Sequence, residues 1–455
     1  MSLFTSVRRS WNSWRSNAGM RTFLRVWFGQ VVSVLGSGLT SFAAGVWVYQ
    51  QTESVTSFAL TIFAATIPSL LIMPFQGPLV DRWDRRKTML LADGGQGVGT
   101  LVLLLLLLGG ELEVWHVWVV MGLSGILSAG HGLAWIAATT LLVPRQQLGR
   151  VNGLLQLGPS VAQILSPVLA GGLFALAGLK GVLVIDLFTF LIALFTLLGV
   201  VFPTPQRRPQ DSGGGIAGLF REVGQGWRYI TERPGLKKLL SLFATVNLSV
   251  GMASALVTPL LLSFATVEVV GVVTSVSGGG LVLGSVLLTV WGGPKDRVRG
   301  VLGFGLLMGV SLMLSSLHPS AILVAVAGFG WMFAAPFING CSQTLWQLKT
   351  PPHLQGRVFA VRATVARATA PLAYLAAGPL ADQVFGPLLA AGGALAPTLG
   401  RIVGTGQGRG TAALLLITGA VATLTLAAGF LSPRLRRLEE EVPDVADEDG
   451  VADFS

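Results

Sequence analysis

The sequence predicts an all-α membrane protein: twelve transmembrane helices in two pseudo-repeated six-helix bundles. Three observations predict it. The 455 residues are 52% hydrophobic and only 11% charged, with a mean hydropathy of +0.70, against roughly a quarter charged in an average soluble protein. About a dozen apolar runs each approach the ~20 residues that a bilayer-spanning helix requires. The lysines and arginines collect on alternate connections between those runs, the expected mark of one membrane face. Twelve spans consume most of the chain, which leaves loops and tails but no large soluble domain.

Taken in order, residues 1–22 form a basic front with Arg8, Arg9, Arg15 and Arg21 beside Trp11 and Trp14. The following run, Phe23 to Tyr49, is too long for a secretory core and lacks a small-residue cleavage site, so it reads as an uncleaved first span. Further spans are expected at 57–79, 88–108, 114–141, 153–176, 180–202, 237–263, 268–291, 300–316, 321–346, 358–384 and 411–431. Residues 23–202 thus make the first bundle and 237–431 the second. Between them, 203–236 starts on Pro203-Thr-Pro205, passes Gly213, Gly214 and Gly215, and turns amphipathic from Ile216 to Ile230. That composition reads as a linker with a surface helix. Residues 432–455 form a tail whose last 18 residues hold eight acids and no base.

With the N-terminus placed inside, 26 of the 31 lysines and arginines fall inside, and only Lys180, Arg401 and Arg409 fall outside. Arg362 and Arg367 lie within a span. One missed helix would invert every later loop, so the bias supports a multi-pass protein of the cytoplasmic membrane with both termini cytoplasmic. The net charge of +10 therefore belongs to loops facing membrane lipids, and no nucleic-acid partner is expected. Cys341, the single cysteine, excludes an intramolecular disulfide, and the four histidines show no metal spacing. No cofactor or metal is expected. Gly404-Thr-Gly-Gln-Gly-Arg-Gly410 has no preceding strand and no Walker lysine occurs, so the chain does not power work by hydrolysing a nucleotide. No cluster of histidines and carboxylates gathers at one membrane face, so an enzyme is not expected.

The halves repeat. Pro144-Arg-Gln-Gln-Leu-Gly-Arg-Val151 matches Pro351-Pro-His-Leu-Gln-Gly-Arg-Val358, and Gly77-Pro78 with Asp81-Arg82 echoes Gly293-Pro294 with Asp296-Arg297. A parallel repeat of two six-span halves is the sequence sign of a transporter. The loop after the second span reads Gly77-Pro-Leu-Val-Asp81-Arg82-Trp-Asp84-Arg85-Arg86-Lys87 and resembles the signature loop of the major facilitator superfamily. Gly36-Ser-Gly-Leu-Thr-Ser-Phe42, Leu148-Gly-Arg-Val-Asn-Gly153, Gln355-Gly-Arg-Val-Phe-Ala360 and Gly378-Pro-Leu-Ala-Asp382 further resemble the macrolide efflux group and, more distantly, the enterobactin exporters. The fifth span, with Gly158-Pro159 and Gly171-Gly172, is similar to a Gly/Pro motif of antiporters. The resemblance implies a gate at Gly77, Asp81, Arg82, Arg85 and Arg86, with Asp81 accepting from a neighbouring helix N-terminus and pairing with Arg85 or Arg357.

An ionisable side chain inside a bilayer is a functional hypothesis by default. Asp186 and His131 are the leading candidates for carrying a coupled proton, with Asp93 beside them. Interhelical pairing near the gate is the main expectation for Asp93, Arg362 and Arg367. The first span has Gly36-Ser37 where some proton-coupled relatives carry an acid. Substrate contact is expected from aromatic and amide groups, namely Trp47, Trp135, Asn247, Trp331, Phe337, Asn339 and Gln343, since bulky amphipathic solutes need apolar area with few orienting polar atoms. The expected function is secondary export of bulky hydrophobic compounds, macrolide-like drugs or related molecules, by alternating access, as a monomer exchanging protons. A siderophore or lipid exporter is the same-fold alternative, and a non-transporting sensor or scaffold the alternative of another class.

Overall fold

The computed structural model describes residues 18–82, 84–143, 148–200, 216–436 and 438. Among these residues the secondary structure is helical, with no strand. Helices α1 (Ala18–Thr52), α2 (Val55–Arg82), α3 (Arg85–Gly109) and α4 (Val114–Leu142) each cover one expected span. The fifth and sixth spans lie in one stretch, α5 (Leu148–Leu198), broken at Gly178, whose φ of 62° and ψ of −168° are non-helical. A side chain with a Cβ would be strained at that φ.

Contacts with α1 show that the two parts of α5 run in opposite directions. The Trp27 indole donates to the Leu154 carbonyl at 2.8 Å, and Ser166 Oγ donates to the Leu35 carbonyl at 3.2 Å. Gly29 instead faces Thr196, and Gly36 faces Thr189. The fifth span therefore runs parallel to α1 and the sixth antiparallel.

Next come α6 (Ile216–Thr231), α7 (Pro234–Leu262), α8 (Val267–Trp291), α9 (Arg297–Ser316), α10 (Ala321–Leu348), α11 (Pro352–Pro379) and α12 (Arg409–Leu431). A wider π-helical turn, Leu380–Phe385, extends α11. Ten of the described helices are long and apolar enough to cross a membrane. That set counts α5 once and omits α11, which carries Arg357, Arg362 and Arg367.

Two aspartates set helix starts. Asp84 Oδ1 accepts the Lys87 N–H at 3.0 Å to cap α3, and Asp296 Oδ1 accepts the Arg299 N–H at 2.8 Å to cap α9. Asp84 and Asp296 thus hold equivalent cap positions at the starts of α3 and α9, and the sequence echo of Asp81-Arg82 in Asp296-Arg297 runs three residues out of step with them.

The chain divides into two compact units, Met1–Glu53 with Leu60–Arg208, and Ser54–Ala59 with Pro209–Ser455. The first has core clusters around Met20, Phe23, Met89, Trp135 and Leu197, and around Val48, Leu103, Val117 and Leu183. Close helix approach there uses Gly125 of α4, whose bare Cα faces the Ala65 carbonyl of α2. In the second unit, Gly280 and Gly284 of α8 face the Phe329 and Phe333 carbonyls of α10 in the same way. Its core gathers Ile230, Leu239, Val301, Ile338, Trp346 and Val358. The linker helix α6 joins that core: Ile230 is buried, and the Tyr229 hydroxyl donates to the Lys349 carbonyl at 2.7 Å. The expected surface helix is thus docked on one face, with Trp227 exposed on the other. The glycine run 213–215 and the acidic tail from 439 onward lie outside the described residues.

Candidate functional site

Asp186 is the most constructed polar position in the first unit. It lies on the sixth span, is 1% exposed, and accepts hydroxyl hydrogen bonds at Oδ2 from Thr40 at 2.7 Å and Thr100 at 3.1 Å. Thr189 Oγ1 lies 3.4 Å from Oδ1 and also donates to the Asp186 carbonyl at 2.7 Å. Helices α1, α3 and α5 thus converge on one carboxylate. Burying a carboxylate is costly unless hydrogen bonds replace its water, and here threonines supply them. Among the described residues Asp186 forms no ion pair.

Gly36 makes the arrangement possible. A Cβ at that position would stand 2.7 Å from Asp186 Oδ1 and closer still to Thr189 Oγ1. The sixth span therefore delivers its acid against the place on α1 where the sequence has glycine. Beside the carboxylate is a cavity of about 180 Å³, lined on its polar side by Ser37, Ser41, Gln96, Ser124 and Ser128.

Asp93, 3% exposed, lies seven residues before Thr100 on α3. Its Oδ2 accepts from Gln30 Nε2 at 2.9 Å, and its Oδ1 lies 3.4 Å from His131 Nε2. These contacts are interhelical, and neither partner is an arginine. Its partners come from α1 and α4, both in the same unit, whereas Arg362 belongs to the other.

Sequence reasoning singled out Asp186, His131, Asp93 and the Gly36-Ser37 position but missed Gln30, Thr40, Gln96, Thr100 and Thr189. The helical spacing carried a signal. Asp93, Gln96 and Thr100 follow at i, i+3 and i+7 on α3, and Ser124, Ser128 and His131 at i, i+4 and i+7 on α4, so each set shares one helix face. Seven residues of helix advance about 10 Å, the length over which these stripes join the His131–Asp93 pair to the Asp186 cavity.

In the second unit, Arg362 of α11 donates to Gln343 Oε1 at 2.6 Å and to Ser342 Oγ at 3.2 Å. Its guanidinium stands 4.8 Å from the Phe243 ring centre. Among the described residues it is therefore held by neutral partners and an aromatic face, with no acid in an ion pair. The Arg367 side chain lies outside the described ones.

The expected gate is resolved in part. Arg86 donates to the Leu198 carbonyl at the end of α5, and the Arg357 backbone packs against Gly226 of α6. Gly77, Asp81 and Arg82 belong to α2, but at positions whose side chains lie outside the described ones. Arg85 lies in the first turn of α3.

The expected substrate residues separate by environment. Trp135 is stacked on Phe23 at 5.4 Å, and Phe337, 1% exposed, is stacked on Phe304 at 4.0 Å. Both are built into packed cores. Gln343 is engaged by Arg362, and Asn247 Nδ2 donates to the Phe243 carbonyl of its own helix at 2.7 Å. Asn339 is exposed, and Trp47 borders a shallow hollow with Trp115 and Trp118. Trp331 lines an apolar-walled hollow within the second unit.

Residues 26–374 match the family model of the Major Facilitator Superfamily. The chain belongs to that superfamily. It is 29% identical over 381 residues to macrolide efflux protein A of Streptococcus pyogenes, covering 82% of this chain and 91% of that protein. It is 28% identical over 372 residues to the multidrug efflux pump Tap of Mycobacterium tuberculosis, covering 78% and 86%. Among solved structures, an inward-facing bacterial homologue of the human lysosomal transporter Spinster aligns with a TM-score of 0.64 at 17% identity, covering 91% of this chain and 99% of that one. That likeness speaks for the fold. As a member of the superfamily with this many apolar helices, the protein is a multi-pass membrane transporter.

Proposed function

We propose that the protein is a secondary exporter of bulky hydrophobic compounds, macrolide-like drugs or related small molecules. It works by alternating access in a bacterial cytoplasmic membrane, with both termini inside and protons moving inward in exchange. Export of such compounds is supported by the likeness to macrolide efflux protein A and Tap over about four fifths of the chain. Proton coupling is supported above all by the Asp186 carboxylate. It is buried without an ion-pair partner among the described residues, cradled by threonine hydroxyls and placed beside a polar cavity. A carboxylate so held can exchange a proton with that cavity and alter the bonds it accepts from α1 and α3 as it does so. Asp93 and His131, joined to the cavity by the polar faces of α3 and α4, pass the proton onward.

The test is drug-dependent proton movement in vesicles containing the purified full chain under an imposed proton gradient. Wild-type protein is expected to release protons when erythromycin is added, and Asp186→Asn to abolish the release while still binding the drug. Unchanged coupled flux in Asp186→Asn defeats the assignment of the proton site. Absence of transport by the wild-type protein across a panel of drugs defeats the exporter reading itself.

A further inference from the structure

Arg362 is a cation inside an apolar span, with no acid against it among the described residues. It lies about 15 Å along α11 from the helix start at Pro352, at a depth where an uncompensated guanidinium is costly. The acids of the second unit whose side chains are described are engaged elsewhere. Glu232 pairs with Arg228 and Asp296 with Arg299, Asp382 caps α2, and Glu268 opens α8. The guanidinium is nonetheless held firmly from its core side. Ser342 and Trp346 are fully buried, and the Phe243 and Trp346 ring centres stand 4.8 and 6.0 Å from it. Gln343, by contrast, is exposed, and so is its hydrogen bond with Arg362. What this exposed edge offers is donors. A guanidinium has five N–H groups, and Gln343 Oε1 and Ser342 Oγ take one each. Because Arg362 can only donate, Gln343 turns its oxygen inward, which leaves its own amide N–H groups outward. Asn339, also exposed, stands one turn earlier on the same face of α10.

We infer that Arg362 and Gln343, with Asn339 beside them, form a receptor for a carboxylate carried by the exported compound. A planar guanidinium matches a carboxylate through two parallel N–H bonds, and the Gln343 amide adds donors of the same sense. A fixed cation with no described counter-charge selects an anionic group over a neutral or basic one. The packing of Phe243 and Trp346 keeps the fork in place before any ligand arrives, so little ordering is left to be done on binding. This inference rests on the export reading for the identity of the ligand, and it adds acid-bearing amphiphiles as a class together with the half of the chain that grips them. A lipid phosphate offers similar oxygens, so the experiment includes one.

Fusidic acid and its methyl ester share one apolar skeleton and differ by a single carboxylate charge. Calorimetry on the full chain in an uncharged maltoside detergent is expected to show the acid bound about tenfold more tightly than the ester by the wild-type protein. In Arg362→Gln the two probes should fall within about twofold of each other, and in Arg362→Lys, which keeps the charge but not the fork, about threefold should remain. Gln343→Glu supplies the donors with a carboxylate of their own and should remove the preference as well. Where Arg362→Gln does not yield folded protein, Gln343→Glu carries the test. Equal affinity for acid and ester in the wild-type protein overturns the receptor, as does a preference that survives in Arg362→Gln or Gln343→Glu. Displacement of fusidate by an equimolar amount of phosphatidylglycerol also overturns it, by giving the donors to lipid. The expected acid preference in a protein that moves no drug against a proton gradient keeps the receptor and defeats the export reading. Export of erythromycin without any acid preference does the reverse.

Discussion

Asp382 offers a sharp test of how the second unit is held together. In the π-helical turn after α11, its carboxylate accepts four hydrogen bonds. They come from Ser54 Oγ, Thr56 N and Thr56 Oγ1, each at 2.8 Å, and from Val55 N at 3.2 Å. All of these residues belong to the second unit, because Ser54–Ala59 is counted with it. The acid therefore caps the start of α2 and faces the positive end of its dipole. In Asp382→Asn, one oxygen remains, and the new amide N–H groups point at donors. At least the bond from Val55 N is then lost, and the three at the other oxygen lose their charged acceptor. Hydrogen bonds to a charged group contribute about 1.5–3 kcal/mol each against about 1 kcal/mol for neutral ones, so a loss of about 3 kcal/mol is expected. For a unit of this size about 1 kcal/mol shifts the melting point by roughly 2–4 °C, which predicts a fall of about 6–12 °C. Thermal unfolding of the purified protein in detergent, followed by intrinsic fluorescence, reads this directly. Ser54→Ala, which removes one neutral donor, should cost about a third as much. A melting point for Asp382→Asn within about 1 °C of wild type refutes the capping argument.

Three further outcomes follow from the same reasoning. Gly36→Ala should reduce drug-coupled proton flux with Asp186 itself unaltered, since the new methyl group displaces Asp186 Oδ1 and Thr189; full flux in that variant separates the carboxylate's position from its role. Gly125→Leu places a branched side chain against the Ala65 carbonyl and should cost about 1–3 kcal/mol or more from overpacking, seen as lost monodispersity in size-exclusion chromatography. Asp84→Ala and Asp296→Ala each remove one helix cap and should each cost about 1 kcal/mol, with the two effects adding in the double variant because the caps serve different helices.

The fold was readable because the bilayer imposes its rule on every span alike: a run long enough and apolar enough to cross is visible without any neighbour. Charge placement is equally local, and it carries the expectation of which connections share a face. Much less of the site was readable. Trp135 and Trp331 look alike in sequence, since both are indoles in apolar helices, yet one is stacked in a core and the other faces a cavity. Only packing across helices distinguishes them. Thr40 and Thr100 reach Asp186 across 146 and 86 residues of chain, so no local pattern announces the cradle. Asp84 was hidden for a simpler reason. The signature loop drew notice to Asp81, while capping depends on which aspartate has extended backbone just before the helix, and that is Asp84, with ψ of 121°.

Gly178 has a bearing on how the protein is made. One residue joins the fifth and sixth spans, so their connection offers no extended segment for a ribosome-bound insertion machinery to translocate separately. The pair is expected to insert as one helical hairpin, so a side chain at Gly178, strained at a φ of 62°, should hinder both spans together.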